Sequence, residues 1–295
     1  MGAVAGLIAP FLDYSFMRRA LAGCLALALG CGPIGTFLVL RRMSLAGYAL
    51  SHAVLPGAAV GFILGGLSVV ALAIGGLMTG LAVALSAGFI SRLTRQGEDA
   101  SFTVLYNTAI ALGVVLISTV APSTDLIGLL FGDILAMDDT AMVFVACSAT
   151  LTAFVLALIY RPLVTECFDP LYLSAAGGRG ALVQVIFLGL VVLNLVSAFQ
   201  GLGVLMAVGL LIVPAVSARF WVNSVGALCA LSAGLAFLSG TVGLVASYAF
   251  NQPSGPTIVL VAGVLYGGSV LAGRRGGLLR KRRAPASRRG HAAVP

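Results

Sequence analysis

Charge is what this chain has least of. Only 9% of its 295 residues are Asp, Glu, Lys or Arg, against 60% hydrophobic, whereas a soluble domain carries about 25% charged residues to wet its surface. That leaves too little polar surface to cover an apolar core of this size. A soluble enzyme, a disordered chain and a nucleic-acid-binding module are excluded at once. Lysine is nearly missing, with Lys281 alone inside Leu279-Arg280-Lys281-Arg282-Arg283. There is accordingly no G-x-x-x-x-G-K-[ST] loop, and the chain cannot cradle the phosphates of ATP itself. The two histidines, His52 and His291, allow no HExxH zinc motif and no Ser/His pair on a strained turn. The five cysteines form no CxxC pair, so neither a disulfide framework nor a structural zinc site is indicated. They read as small core residues.

What remains is a series of long apolar runs. A membrane-spanning helix needs about 20 mostly apolar residues, and nine stretches qualify: 18–40, 44–64, 67–91, 101–120, 141–160, 181–199, 201–219, 224–248 and 257–273. The expected fold is an all-α integral membrane protein of about nine transmembrane helices. Eight is the alternative, because 201–219 is short and Gly-rich and reads as a broken or re-entrant segment. Met1 to Leu12 is apolar but lacks a preceding cation and an Ala-x-Ala site, which suggests a retained interfacial lead-in. Residues 1–273 form one membrane domain, and 274–295 is an Arg-rich tail expected to be disordered, cytoplasmic and drawn to anionic lipid headgroups. Whether 123–137 forms an outer amphipathic helix stays open.

The cations set an orientation. With 92–100 in the cytoplasm, alternation places Arg41, Arg42, Arg92, Arg95, Arg161, Arg179, Arg219 and the tail inside. That is 15 of the 17 Lys and Arg, with Arg18 and Arg19 the exceptions. By the positive-inside rule the N-terminus is outside and the C-terminus inside. Asp133, Asp138 and Asp139 then belong to a mildly acidic outer rim, and all nine acids fall in loops. Gly57, Gly61 and Gly65 share a helix face, as do Gly76 with Gly80 and Gly263 with Gly267. Such stripes let helices pack closely in lipid.

Two places carry candidate chemistry. His52 is the one ionisable residue inside a span that could meet a metal ion, and an intramembrane imidazole is costly unless it faces a partner or a wet cavity. Tyr48 lies one turn earlier near the same face. Pro56 and Gly57 follow and could break the helix beside the site. A histidine satisfied by Tyr48 or a backbone carbonyl is the structural alternative. In the loop 161–180, Asp169 can cap a short helix starting at Pro170 and ending at Gly177 or Gly178. Such a helix would offer Phe168, Leu171 and Tyr172 to a partner protein, or pack on its own bundle.

Together these stretches resemble the permease subunits of bacterial ATP-binding-cassette importers for zinc, manganese and iron. The blocks are Arg41-Arg42-Met43-Ser44 with Ser51-His52-Ala53-Val54-Leu55-Pro56-Gly57, then Gln96-Gly97-Glu98-Asp99-Ala100, then Phe168-Asp169-Pro170 with Ala175 and Gly177, and finally Leu210 to Ala215. The resemblance implies a fold related to the vitamin and siderophore importers, a homodimer, two cytoplasmic ATPase subunits that bind the ATP, and an outer solute-binding protein. It implies that Phe168, Asp169, Pro170, Leu171, Tyr172, Ala175 and Gly177 couple to the ATPase, and it places the protein in a bacterial inner membrane. One position departs from the family. The Asp usual four residues before the pore His is Tyr48 here, and a phenol with a pKa of about 10 is a poor ligand for a hard ion. Imidazole suits zinc better than manganese, so the expectation is a zinc permease with a transient His52–Tyr48 site completed by waters. A manganese or iron importer of the same family is the alternative. An ion-coupled secondary transporter is a further one, disfavoured because such proteins usually hold a carboxylate in mid-membrane. The chain itself is expected to be no enzyme and to bind no cofactor.

Overall fold

In hydrocarbon every backbone N–H and C=O has to be satisfied within its own segment or a closed barrel, and this chain does so with helices. The computed structural model describes residue 11 and residues 14–66, 68–93, 98–120, 134–175, 180–275 and 277, with no strand among them. The helices are α1 Ser15–Leu40, α2 Ser44–Ala53, α3 Leu55–Gly65, α4 Val69–Leu93, α5 Glu98–Val120 and α6 Asp139–Phe168. They continue with α7 Pro170–Ala175, α8 Gly180–Leu202, α9 Val204–Ala218, α10 Val225–Phe250 and α11 Ser254–Ala272. Of the segment 123–137, residues 123–133 lie outside the described residues, and a 3-10 turn at Ile134–Ala136 leads into α6.

Among the described residues seven spans, α2 and α3 together counting as one, are long and apolar enough to cross a membrane. The other two expected spans are α5, apolar over Ala100–Leu116, and α9. At 1.5 Å per residue, the 15 residues of α9 reach about 22 Å, short of a hydrocarbon core of about 30 Å. A single residue, Gly203 at φ +80°, joins it to α8. A side chain there would be strained, so glycine permits the sharp joint.

The most apolar windows of α1 and α8 are each 72% buried, against 22% for α11 and 28% for α4 and α6. Those two helices are therefore the core. α1 packs on α6, α9 and α10, α4 packs on α3 and α5, and α8 touches both groups. Small residues make this possible. A Cβ on Gly32 would lie 2.6 Å from the Ala233 backbone of α10, one on Gly35 would strike the Leu211 carbonyl of α9, and one on Gly30 would strike the Asn194 amide of α8. Three glycines within six residues thus press α1 against three helices. The Gly57–Gly61–Gly65 stripe behaves as expected and meets α4 at Gly75, Thr79 and Ala71, while Gly76 and Gly80 sit on Val54 and Val192. Buried hydrogen bonds cross the core too, from Asn194 Nδ2 to Thr152 Oγ1 at 2.8 Å and from Ser197 to Ser148 at 2.6 Å. Bonds of this kind between membrane helices average about 0.6 kcal/mol.

Four expectations need correction. The fifth span does not stop at residue 160: α6 continues through Pro162 to Phe168, because a proline in a membrane helix is tolerated where neighbours re-satisfy the freed carbonyl. Glu166 and Cys167 are in consequence on a helix rather than in a loop, and Glu98, Asp99 and Asp139 open helices of their own. The Gly263–Gly267 stripe packs against nothing among the described residues, since a Cβ at either would have no neighbour within 4 Å. The cysteines divide: Cys24 and Cys31 are buried, Cys147 is exposed, and Cys167 and Cys229 are half-buried, all five as free thiols. Of the lead-in Met1 to Leu12 only residue 11 is described, and of the tail 274–295 only residues 274, 275 and 277; the rest of both lies outside the described residues.

Candidate functional site

The second span is broken where the sequence suggested. Pro56 has no N–H and cannot donate to the His52 carbonyl one turn earlier, so that one rung is missing where α2 gives way to α3, with Pro56 in the first turn of α3. Val54 between them still donates to the Leu50 carbonyl at 3.3 Å and accepts from the Ala58 N–H at 3.0 Å. The break is held from two sides. Gly113 of α5 lets the Pro56 ring approach to within 3.1–3.3 Å of where its Cβ would be, and Gly57 sits on the Gly75 carbonyl and Thr79 hydroxyl of α4. A helix end immobilised in this way fixes the residues just before it.

Those residues include His52, which is 8% exposed, and Tyr48, which is 46% exposed. Their ring centroids are 4.7 Å apart at an interplanar angle of 73°. Tyr106 of α5 completes the group, 6.4 Å from His52 in a stacked arrangement and 6.4 Å from Tyr48 edge-on. His52 lies eight residues into α2 and Tyr106 eight into α5, which puts both about 12 Å along their helices. Ser51 donates to the Tyr48 carbonyl at 2.8 Å. Sequence reasoning missed Tyr106. The signal was present, a Tyr106-Asn107-Thr108 polar run inside an apolar span, but nothing in it named His52 as a neighbour.

The donor set is sparse. Among the described residues no three His, Cys, Asp or Glu come together in a way that could hold a metal. One imidazole and two phenols cannot form a closed metal site. They can form an incomplete one, with the exposed edge at Tyr48 and Leu45, which is 67% exposed, turned away from the bundle.

At the other candidate region Asp169 closes α6 and caps α7. Its backbone N–H donates to the Thr165 carbonyl at 2.8 Å, and its Oδ1 accepts from the Tyr172 N–H at 2.9 Å. Phe168 and Tyr172 stand 66% and 64% exposed on either side of that cap, and Ala175 is exposed at the end of α7. The backbones of Pro170 and Leu171 lie in α7, and Gly177 falls outside the described residues. Nearby, the Arg41 guanidinium lies 5.5 Å over the Phe187 ring, and its Nη1 is buried with no hydrogen-bond partner among the described residues.

Two of the carboxylates expected at an outer rim are engaged within the chain. Asp138 Oδ1 caps α6 by accepting from the Ala141 N–H at 2.8 Å, and Asp139 pairs with Arg19 at 3.0 Å. Arg19, an exception to the charge asymmetry, therefore has a partner 120 residues away. Asp133 lies outside the described residues.

Comparison with known proteins adds an independent line. A profile of the ABC 3 transport family matches residues 13–273. The manganese transport system membrane protein MntC of Listeria monocytogenes is 34% identical over 268 residues, 91% of this chain and 94% of that protein. The manganese import system permease protein ScaB of Streptococcus parasanguinis is 34% identical over 88% of this chain and 93% of its own length. A Haemophilus influenzae protein named "Probable iron transport system membrane protein" is 28% identical over 86% and 93%. Among solved structures, a chain of PsaBC from Streptococcus pneumoniae in complex with Fab superposes with a TM-score of 0.83 at 31% identity, covering 95% of this chain and 99% of that one. A metal-chelate type ABC transporter in an inward-facing conformation superposes at 0.70 with 16% identity and speaks to the fold alone.

Proposed function

The chain belongs to the ABC 3 transport family of metal-importer permeases, and on that premise we propose that it carries a divalent first-row metal ion inward past His52, Tyr48 and Tyr106. The observation that carries this reading is the incomplete site at the helix break. It has a buried imidazole, two phenols and an open side, with no carboxylate among the described residues to trap the ion. Two copies related by a two-fold axis would bring two such half-sites together, and waters would fill the remaining positions. Weak, shared coordination suits passage, where tight binding would stop release.

Manganese is the first cargo to test, because the relatives are named for manganese and iron. The zinc expected from the imidazole has no counterpart in those names. It stays the second reading because the donor set contains no carboxylate and nitrogen donors suit zinc better than manganese. Driving force comes from two ATPase subunits on the cytoplasmic side that grip Phe168, Asp169, Pro170, Leu171, Tyr172, Ala175 and Gly177. An outer binding protein delivers the ion over the Asp133–Asp139 rim. This places the protein in a bacterial inner membrane with its C-terminus inside, residues 1–273 acting as the permease unit and 274–295 as a tail. The chain performs no chemistry; it changes shape when pushed.

Reconstitution with the ATPase subunit tests this. ATP-dependent uptake of radioactive manganese is expected, with competition by iron and zinc ranking the cargoes, and His52→Ala should lower the rate at least tenfold while leaving ATPase binding intact. Unchanged rate and unchanged metal ranking in His52→Ala would remove His52 from the pathway.

A further inference from the structure

Between α10 and α11 an apolar groove of about 540 Å³ is lined by Leu231, Leu235, Val264 and Leu265, with Trp221 and Ser269 at one end. Its volume lies inside the range of roughly 300–1,000 Å³ typical of small-molecule sites. Along it Val264 is 67% exposed, and Gly268 meets no neighbour within 4 Å among the described residues. The groove thus faces away from the bundle.

Its end is built with polar and cationic groups. The Trp221 indole N–H donates to Ser269 Oγ at 3.0 Å, and that hydroxyl donates to the Leu265 carbonyl at 2.8 Å. The ring is therefore pinned to α11 at the mouth of the groove. One turn beyond Ser269, Gly273 lies against Phe220, and the Arg275 N–H donates to the Phe220 carbonyl at 2.8 Å. That bond ties Arg274 and Arg275, both exposed, to the residue beside the indole. Arg219 is exposed two positions before Trp221, and Tyr266 packs edge-on to Phe220 at 6.1 Å.

An apolar slot with a pinned indole at one end and three exposed arginines in the turns beside that end (Arg219, Arg274 and Arg275) matches an anionic phospholipid. The acyl chain would lie against Leu231, Leu235 and Val264, and the phosphate would sit at the arginines, where aromatic residues and cations favour the headgroup level. We propose that the α10–α11 groove is a selective site for one anionic phospholipid. A second copy of the chain fits less well, since in a two-fold contact centred there each arginine group would face its own mate. The proposal stands apart from the transport reading and needs only that this end of the bundle meets a bilayer.

Trp221 is the chain's only tryptophan, so its fluorescence reports directly on the groove. Full-length protein in phosphatidylcholine micelles is titrated with dibrominated phosphatidylglycerol or dibrominated phosphatidylcholine, whose bromines quench indole on contact. Half-quenching is expected at about tenfold lower mole fraction of the phosphatidylglycerol. In R274Q/R275Q the preference should fall below about threefold although the rest of the Arg-rich tail is intact. For wild type alone, the preference should shrink from low to high salt, which keeps the test valid if the variant misfolds. Equal quenching by the two lipids, a preference unaltered by R274Q/R275Q or by salt, or protection from both lipids that is lost when dimers are diluted to monomers would each overturn the proposal.

Discussion

Replacing Asp169 with Ala removes the acceptor that the Tyr172 N–H finds at 2.9 Å. Loss of such a cap costs about 1 kcal/mol, within a range of roughly 0.5–2. In a long helix that is a small perturbation, but α7 has six residues, too few to form in isolation. Its ordered population therefore rests on the cap, on its covalent link to α6 and on whatever docks against it. One kcal/mol is about a fivefold change in an equilibrium constant. If α7 must be helical to dock, the affinity of the permease for its ATPase subunit should fall about fivefold in D169A. The cap needs only an oxygen acceptor, so D169N and D169S should retain affinity within about twofold although both lose the charge. The assay is retention of the ATPase subunit by tagged permease in detergent, measured over a range of subunit concentrations, with stability of the bundle followed separately. D169N as weak as D169A would show that charge rather than capping carries the effect. Wild-type retention by D169A would show that α7 is not the docking element.

Two further outcomes are expected. Tyr48→Asp sets a carboxylate beside His52, whose ring is 4.7 Å from the present phenol, and should raise manganese over zinc in competitive uptake, because hard oxygen donors favour manganese; an unchanged ranking would place selectivity elsewhere. Gly32→Val should destabilise the bundle by about 1–3 kcal/mol, the usual cost of overpacking, because even its Cβ would lie 2.6 Å from Ala233 Cα. Gly263→Val, with open space around it, should change stability by no more than about 0.5 kcal/mol, and thermal unfolding in detergent compares the two.

Sequence alone determined the membrane class, because a chain with so few charges has only helices or a barrel open to it in lipid, and its apolar runs are helix-length. It also located the break after His52 and the cap at Asp169. Both follow from local backbone rules: a proline lacks its N–H, and a short acidic side chain reaches the N–H three residues on. Tertiary structure decided everything that depends on which face of a helix is covered. Gly57 and Gly263 sit in similar four-residue stripes, yet one is pressed onto α4 and the other touches nothing among the described residues. Tyr106 reaches His52 from more than fifty residues away, and Arg19 finds Asp139 from 120. The reason is that lipid tails are as apolar as the side chains of a bundle core. In water a helix shows its buried side by hydrophobic contrast; in this chain both sides are apolar, so only the packed bundle reveals which residues face each other.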